Sequence, residues 1–377
     1  MNHEFDLTVP CLFGLEGPLA EELRRMGAQN VTPLNGRVVF SGSPGMLARA
    51  NLCSRFGERV LVQMASFPAR SFEELFQGVR SLPWERWIGK KDAFPVKGSC
   101  LDSRLASVPD CQAIVKKAVV EHLKEKYSLN WFEETGAPRQ IQFLILKDQA
   151  SVMIDTSGPG LHKRGYRANA AEAPIRETLA AAMAYFSHVR HDANFIDPFC
   201  GSGTLLIEAA LLARGAAPGA GRRFSAEKWE NVPASVWKAE RERARSLQKD
   251  DVPFHAQGYD IDPAAVSLTL ENAAKAGVSG CVGAQCRDVA DFRGEGEYGC
   301  VICNPPYGER LLDLHGAEQL YRTMGRVFRP RRGWSYSVIS PDDTFEECFG
   351  RKAARRRKLY NGMIRCQYYM YFKEGRE

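Results

Sequence analysis

The sequence predicts an α/β protein with a doubly wound, mostly parallel sheet, preceded by two smaller α+β layers. Three stretches carry that prediction. Phe195 and Ile196 read as strand, Asp197-Pro198-Phe199-Cys200-Gly201-Ser202-Gly203-Thr204 as a glycine turn, and Leu205–Leu212 as an apolar helix. Gly258–Asp262 reads as a second strand, after which Asp262-Pro263 starts the helix Ala264–Ala276. Cys300-Val301-Ile302-Cys303 is a short apolar strand that ends at Asn304-Pro305-Pro306-Tyr307, because two prolines cannot continue a ladder. Strands alternating with helices build parallel sheets, and such sheets bind ligands beyond the carboxyl ends of their strands.

Residues 1–65 alternate strand and helix: Phe5–Val9, then Gly17–Met26 with Leu19 and Leu23 on one face and Gly27 as its stop, then Arg37–Phe40, Pro44–Cys53 and Arg59–Met64. This order suits a ferredoxin-like layer. In residues 66–160, Ser71 caps a helix through Val79, Val108–Tyr127 forms a long helix, and Gln140–Leu146 pairs with Ser151–Ile154 around Lys147-Asp148. Asp155–Gly160 is turn-rich and reads as a linker. The third region, 161–377, opens on a basic loop in which Lys163, Arg164 and Arg167 surround Tyr166. A helix is expected from Pro174, with Glu177 in its first turn.

Arg214–Asp251 reads as an insertion after the glycine turn. It carries Phe224, Trp229 and Trp237 among Arg222, Arg223, Lys228 and Lys238, followed by a charged helix, Ala239–Lys249. Its plainest reading is a solvated flap with a small apolar patch of its own. Gln285–Val289 supplies a third strand end, Gly333–Ser340 a further strand, and Ile364–Phe372 the last. Arg351, Lys352, Arg355, Arg356, Arg357 and Lys358 form the densest basic run. Such runs are often solvated surface, but the strand that follows holds this one near the sheet, which favours phosphate contact.

Composition bounds the answer. At 377 residues the chain is too long for one ordinary core, so two or three domains are expected. A 44% hydrophobic and 25% charged composition describes a soluble globular protein. No run approaches eighteen apolar residues, so no membrane span is expected, and Met1–Asp6 lacks the regions of a signal peptide. A net charge of +6 permits a polyanionic partner without demanding one. Eleven scattered cysteines point to reduced thiols in a cytoplasm. Cys300 and Cys303 are spaced like metal ligands, but positions three apart on a strand face opposite ways, and Cys281 and Cys286 do not complete a site. No metal is expected. His162 in the basic loop can reach a phosphate or stand solvated.

The chemistry sits at the strand ends. The Asn304 amide oxygen and the Pro305 carbonyl can each accept a hydrogen bond from one exocyclic NH2 group. Accepting both hydrogens draws the nitrogen lone pair out of conjugation with a base ring and aims it at an electrophile. Tyr307 offers a flat face on which an extruded base can stack. By itself the motif also fits an ordinary strand-to-loop turn. Gly201 and Gly203 allow close backbone approach to a ligand at a helix amino terminus. A nicotinamide fingerprint would place a third glycine where Leu206 stands. Thr204 and the leading Asp197 suit a cofactor without a pyrophosphate. Asp260 ends its strand where a carboxylate can accept hydrogen bonds from both ribose hydroxyls.

Together these motifs resemble motifs I and IV of class I methyltransferases that use S-adenosylmethionine and attack an exocyclic amine. His162-Lys163-Arg164-Gly165-Tyr166-Arg167, Ala173-Pro174-Ile175-Arg176-Glu177-Thr178-Leu179-Ala180 and Arg357-Lys358-Leu359-Tyr360-Asn361-Gly362 resemble the THUMP-domain RNA guanine-(2-amino)-methyltransferases. Bacterial members are similar to the half of the large-subunit ribosomal RNA enzyme that makes 2-methylguanosine. The resemblance runs through nearly the whole chain. It implies a ferredoxin-like domain at 1–65, a THUMP RNA-binding domain at 66–160 and a catalytic domain at 161–377. It implies Asn304, Pro305, Pro306 and Tyr307 as catalytic residues. Asp197, Gly201, Gly203, Thr204, Asp260, Ile261, Asp288, Val289, Glu177 and Thr178 would hold S-adenosylmethionine. Asp288 would receive the adenine amino group, with a surface acid as the alternative, and a plain docking helix would equally explain Arg176, Glu177 and Thr178. RNA is the implied partner, ribosomal ahead of transfer RNA, with Lys163, Arg164, Arg167, Arg351, Lys352, Arg355, Arg356 and Arg357 as its contacts. A DNA adenine methyltransferase shares Asn-Pro-Pro-Tyr but normally reads its target from a segment within or after the catalytic part. A non-catalytic RNA-binding factor would have no need of the intact motifs.

Overall fold

In the computed structural model, which describes residues 4–167, 175–189, 194–307 and 314–372, the chain builds two seven-stranded sheets. They belong to two compact units. The first comprises Met1–Cys11, Ala20–Leu161 and Arg223–Glu242, and the second Leu12–Leu19, His162–Arg222 and Arg243–Glu377.

The first sheet begins with β1 (Phe5–Pro10); α1 (Glu16–Met26), β2 (Gln29–Leu34), β3 (Arg37–Gly42) and α2 (Pro44–Cys53) follow. β4 (Leu61–Pro68), α3 (Phe72–Arg80), β5 (Val96–Leu101), α4 (Val108–Tyr127), β6 (Ile141–Leu146) and β7 (Gln149–Asp155) complete it. Its strand order is β2-β3-β1-β4-β7-β6-β5. β4 pairs antiparallel with β1 on one side and β7 on the other. It runs through residue 65, so the two layers expected from the sequence share one sheet. Only β5 and β6 are parallel, and α4 makes that crossover, burying Cys111, Val115, Ala118, Val119 and Leu123. Lys147 and Asp148 turn the β6–β7 hairpin at positive φ, as the hairpin read from the sequence requires.

The insertion corrects its sequence reading. Residues 223–242 are part of the first unit, not a solvated flap. Phe224, Trp229 and Trp237 are all buried, and the Arg139 guanidinium lies 4.6 Å from the Trp229 ring centroid. Arg139 donates to Asp92 at 2.9 Å, and burial pulls its pKa below the usual arginine value. The Ala226 N–H donates to the Thr156 carbonyl at 3.0 Å, the Asn231 amide to the Arg86 carbonyl at 2.9 Å, and Arg49 grips Glu240 through two bonds of 2.7 and 2.8 Å. The charged helix also begins earlier than expected, because Trp237 faces the core from its first turns.

The second unit adds α5 (Glu177–Phe186), β8 (Asn194–Asp197), α6 (Thr204–Ala213), β9 (His255–Asp260), α8 (Pro263–Lys275) and β10 (Val282–Cys286), while α7 (Ala234–Leu247) begins within the first unit's residues and ends within the second's. Then come β11 (Gly299–Cys303), α9 (Leu314–Val327), β12 (Trp334–Ser340), α10 (Phe345–Phe349), β13 (Arg355–Asn361) and β14 (Ile364–Tyr371). The order is β10-β9-β8-β11-β12-β14-β13, parallel from β10 to β12 and antiparallel beyond. The order reverses between β8 and β11, so the crevice of this doubly wound sheet opens beyond Asp197 and Cys303. A core of Tyr321, Phe328, Trp334, Tyr336, Phe345 and Tyr369 packs one face. Among the described residues no helix is long and apolar enough to cross a membrane. Pro174, expected to start a helix, lies outside the described residues.

Truncating Trp229 to alanine should lower the unfolding free energy of the first unit by about 3–5 kcal/mol, the range for deleting a buried aromatic ring. Chemical denaturation of the full chain measures it. A change below about 1 kcal/mol would return the insertion to the flap reading.

Candidate active site

The crevice is built on the turn between β8 and α6. Gly201 and Gly203 take φ values of +51° and +78°, which side chains other than glycine rarely adopt. Two residues one turn apart on α8 hold this backbone: Thr269 Oγ1 donates to the Gly201 carbonyl at 2.8 Å, and Asn272 Nδ2 to the Ser202 carbonyl at 3.0 Å. From the end of β9, Asp260 Oδ2 accepts the Gly201 N–H at 2.9 Å and Oδ1 accepts the Asp262 N–H at 3.1 Å. A Cβ on Gly203 would lie 2.9 Å from Thr269 Cγ2, whereas one on Gly201 would meet no atom within 4 Å. Bare backbone is therefore presented beside Gly201. Ile261, next to Asp260, is 73% exposed, an apolar side chain available to cover a flat ring.

Asp197 closes β8 and is buried, with Oδ1 accepting the Phe199 N–H at 3.1 Å. Burial, reinforced by the charge of Asp260, pushes its pKa up to about 8. Asp288 stands two residues beyond β10, where its exposed carboxylate caps a short 3-10 turn by accepting the Ala290 N–H at 2.8 Å. Val289 is buried and packs into the aromatic core, so only its backbone remains for a ligand.

Two of the cations expected to meet phosphate turn inward. Arg164 is buried, 3.6 Å from Glu208, and Glu208 also accepts from the Tyr166 hydroxyl at 3.0 Å. Burial holds the Tyr166 hydroxyl well above the usual tyrosine range. Arg167 donates to Thr204 Oγ1 at 2.8 Å and to the Ile175 carbonyl at 3.0 Å, and lies 3.5 Å from Glu177. Burial raises the Glu177 carboxyl despite that arginine. Arg167 thus ties the start of α5 to the start of α6. Thr178 is buried, and Lys163 is exposed.

On the other side of the crevice Asn304 follows β11 directly. Its Oδ1 is buried and has no hydrogen-bond donor among the described residues. Pro305 is buried behind it, with Pro306 and Tyr307 half-buried. The Tyr307 hydroxyl accepts from Asn361 Nδ2 at 2.7 Å and lies 3.9 Å from Cys366 Sγ, and burial raises its pKa. Asn361 is not among the site residues expected from the sequence. Its one sequence signal is the Asn361-Gly362 turn dipeptide closing the β13–β14 hairpin.

The second half of the basic run, Arg355–Lys358, opens β13, an edge strand, so its side chains alternate between two faces, while Arg351 and Lys352 precede the strand. Arg351 donates to the Phe328 carbonyl and lies over Phe349 and Tyr371, Arg356 pairs with Glu346, and Arg357 lies 4.1 Å from the Phe186 ring centroid. Arg351, Arg356 and Arg357 therefore serve the fold first. Lys352 and Arg355 remain exposed.

A family profile described as RMKL-like, methyltransferase domain, matches residues 164–370. The chain belongs to that family. Profiles for a RlmL ferredoxin-like domain and a THUMP domain match residues 6–61 and 69–155 ahead of it. A Bacillus subtilis protein named "Putative RNA methyltransferase YpsC" is 42% identical over 99% of this chain and 97% of its own length. The ribosomal RNA large subunit methyltransferase K/L of Methylococcus capsulatus is 33% identical over 98% of this chain, which spans 51% of that longer protein. Among solved structures, SMU.472, described as "a putative methyltransferase complexed with SAH", has a TM-score of 0.93 at 38% identity, over 100% of both chains. A Listeria monocytogenes protein described as a "predicted N6-adenine-specific DNA methylase" has a TM-score of 0.93 at 43% identity, over 99% of this chain and 97% of its own. The matched residues include β8, β9 and β11, the strands that position the candidate site.

Asp197 makes stability depend on pH. A carboxyl whose folded pKa is raised stabilises the fold fully below the unfolded value of about 4, and this contribution is lost as pH rises through about 8. Asp197→Asn should therefore show a smaller drop in melting temperature between pH 5 and pH 8.5 than the wild type. Scanning calorimetry across that range tests it, and parallel pH profiles would remove Asp197 as the cause.

Proposed function

We propose that this protein transfers a methyl group from S-adenosylmethionine to the exocyclic 2-amino group of a guanosine in RNA, ribosomal RNA of the large subunit ahead of transfer RNA. The observation that carries the proposal is the buried Asn304 Oδ1 beyond β11, which has no donor among the described residues. A buried acceptor without a donor costs roughly 1–3 kcal/mol, and the amine of a bound base would satisfy it. The named relatives and the THUMP profile support RNA as the substrate class.

S-adenosylmethionine, when bound, supplies an electrophilic methyl group on a positively charged sulfur. Asp260 and Ile261 would hold its ribose and adenine, with Asp288 at the adenine amine. The Gly201–Thr204 turn and Asp197 would hold its amino-acid end, behind which Glu177 and Thr178 start α5. Asn304 Oδ1 and the Pro305 carbonyl accept the two amine hydrogens and orient the nitrogen. Pro306 fixes the turn, and Tyr307, anchored by Asn361, supports the base. Holding the reactants in line and excluding water accounts for catalysis of this kind, and the amine proton can leave to water. RNA capture falls to residues 1–160, the ferredoxin-like and THUMP parts, with Lys163, Lys352 and Arg355 as exposed cations of the catalytic domain. Free cysteines and an RNA substrate support a cytoplasmic location.

Methylation of adenine in DNA is the second reading, favoured by the description of the Listeria structure. Transfer of tritiated methyl to unmodified ribosomal RNA, transfer RNA and DNA, followed by nucleoside analysis, separates the two: 2-methylguanosine supports the proposal, and N6-methyladenine in DNA overturns it. Asn304→Ala should cut turnover about 100-fold or more with cofactor affinity unchanged. Asp260→Ala should weaken cofactor binding by about 1.5–3 kcal/mol in calorimetry without RNA; unchanged affinity would remove Asp260 from the site. Replacing Arg355, Arg356 and Arg357 together should lower the salt dependence of RNA binding by about one phosphate contact, because two of the three are engaged within the fold. A drop of three would show that all of them release their partners on binding.

A further inference from the structure

The hairpin that anchors Tyr307 ends in a strongly exposed apolar tip. Asn361 pairs with Ile364 across the last rung of β13 and β14, leaving Gly362 and Met363 as a two-residue loop. Gly362 has φ +64° and Met363 has no positive φ, the pattern of a tight, glycine-first turn that fixes Met363 in place. Met363 is 97% exposed and Ile364 48%. Polar residues are the ordinary occupants of such turns.

The two faces of this hairpin differ. Directly opposed residues share a face, so Ile364 lies on the same side as Asn361, which bonds the Tyr307 hydroxyl, and Cys366, which contacts it. Lys358, Tyr360 and Arg365 occupy the other side. There the Lys358 ammonium lies 5.5 Å from the Tyr360 ring centroid, and Phe13, 56% exposed, packs edge-on against Tyr360 at 5.9 Å. The tip thus has an apolar front continuous with the support of the base-stacking tyrosine and a cationic, aromatic back. Met363 is two residues from Asn361, within about 8 Å along the backbone.

Accepting the RNA reading above, on which this rests, the target base must leave its stack to reach Asn304, and something must fill or hold the gap. We propose that the β13–β14 tip is a wedge: Met363, with Ile364 behind it, enters the RNA base stack where the target nucleotide leaves. Apolar side chains inserted at base steps are an established way to hold a nucleic acid unstacked. Lys358 and Arg365 on the back of the hairpin supply the charge for the adjoining phosphates. Both wedge residues are exposed, so their replacement leaves the core intact.

The test is a series at position 363 in the full-length protein, with a folded large-subunit ribosomal RNA transcript and tritiated methyl donor. Met363→Leu should stay within about twofold of wild type in kcat/KM, Met363→Ala should fall about tenfold, and Met363→Asp further, with Ile364→Ala deepening each loss. Cofactor affinity without RNA and melting temperature should not move. On the same transcript after heat denaturation the losses should shrink. All variants within about twofold of wild type on folded RNA, or a loss in Met363→Leu equal to that in Met363→Ala, would overturn the wedge while leaving the methyltransferase reading intact. A wild-type protein that methylates no RNA would overturn both.

Discussion

The backbone of residues 200–203 is held from two sides, and the geometry of the crevice follows from that hold. Cys200 donates to the Tyr259 carbonyl at 2.9 Å, Asp260 takes the Gly201 N–H, and Thr269 and Asn272 take the next two carbonyls. Every one of these partners comes from β9 or α8. A glycine turn has little conformational preference of its own, since glycine loses the most entropy on being fixed. Here the neighbouring strand and helix impose the conformation. The first turn of α6 is therefore aimed before any ligand arrives, and its approach side at Gly201 stays bare. The arrangement also brings the Asp197 and Asp260 carboxyls near one another, which is part of why Asp197 holds its proton so strongly.

Behind the turn lies a buried set of charges: Arg167 with Glu177 and Thr204, and Arg164 with Glu208 and Tyr166. Removing one partner from such a set leaves an uncompensated charge and is costly, so these groups fix α5 and α6 more than they add net stability. Read along the chain, Lys163, Arg164 and Arg167 form one basic loop and look alike. Their fates differ because the partners Glu177, Thr204 and Glu208 are ten to forty-odd positions further on. Local sequence shows the charge. It does not show which charges are neutralised across the fold.

The parallel part of the second sheet was legible, because its strands are short apolar runs closed by turn residues, and Asp197, Asp260 and Asn304 stand at or just beyond their ends. Asp288 was legible as an acid but misplaced by two residues, since its role in the fold is to cap a turn. β13 was not legible: Arg355-Arg356-Arg357-Lys358 has none of the β-branched enrichment of a strand. It is an edge strand, where lysine and arginine discourage pairing with another chain, so charge is the expected composition once the position is known. Thr269 and Asn272 carried a usable signal, two polar residues three apart on the buried face of an amphipathic helix. The Asn361 to Tyr307 bond carried almost none, because 54 residues separate them.

The division of labour between the halves is the point at which sequence reasoning and structure part most. A turn-rich linker at Asp155–Gly160 suggests that a fragment starting there is a self-contained catalytic body. The chain is not partitioned that way. Residues 12–19 cluster with the second unit and residues 223–242 with the first, so a cut at the linker takes a piece from each. The fragment would lack Phe13, the edge-on partner of Tyr360, and Gly14, whose φ of +91° lets it approach so closely that a Cβ would lie 2.8 Å from the Lys358 carbonyl. It would also carry the buried rings of Phe224, Trp229 and Trp237 without Trp87 and Arg139, which pack against Trp229. A stretch of exposed aromatic rings of that size drives aggregation. Failure of such a fragment to act on RNA would therefore say little about which half captures the substrate. Substitutions at exposed residues in the intact chain, such as Lys352, Arg355 and Met363, leave both units complete and bear on that question directly.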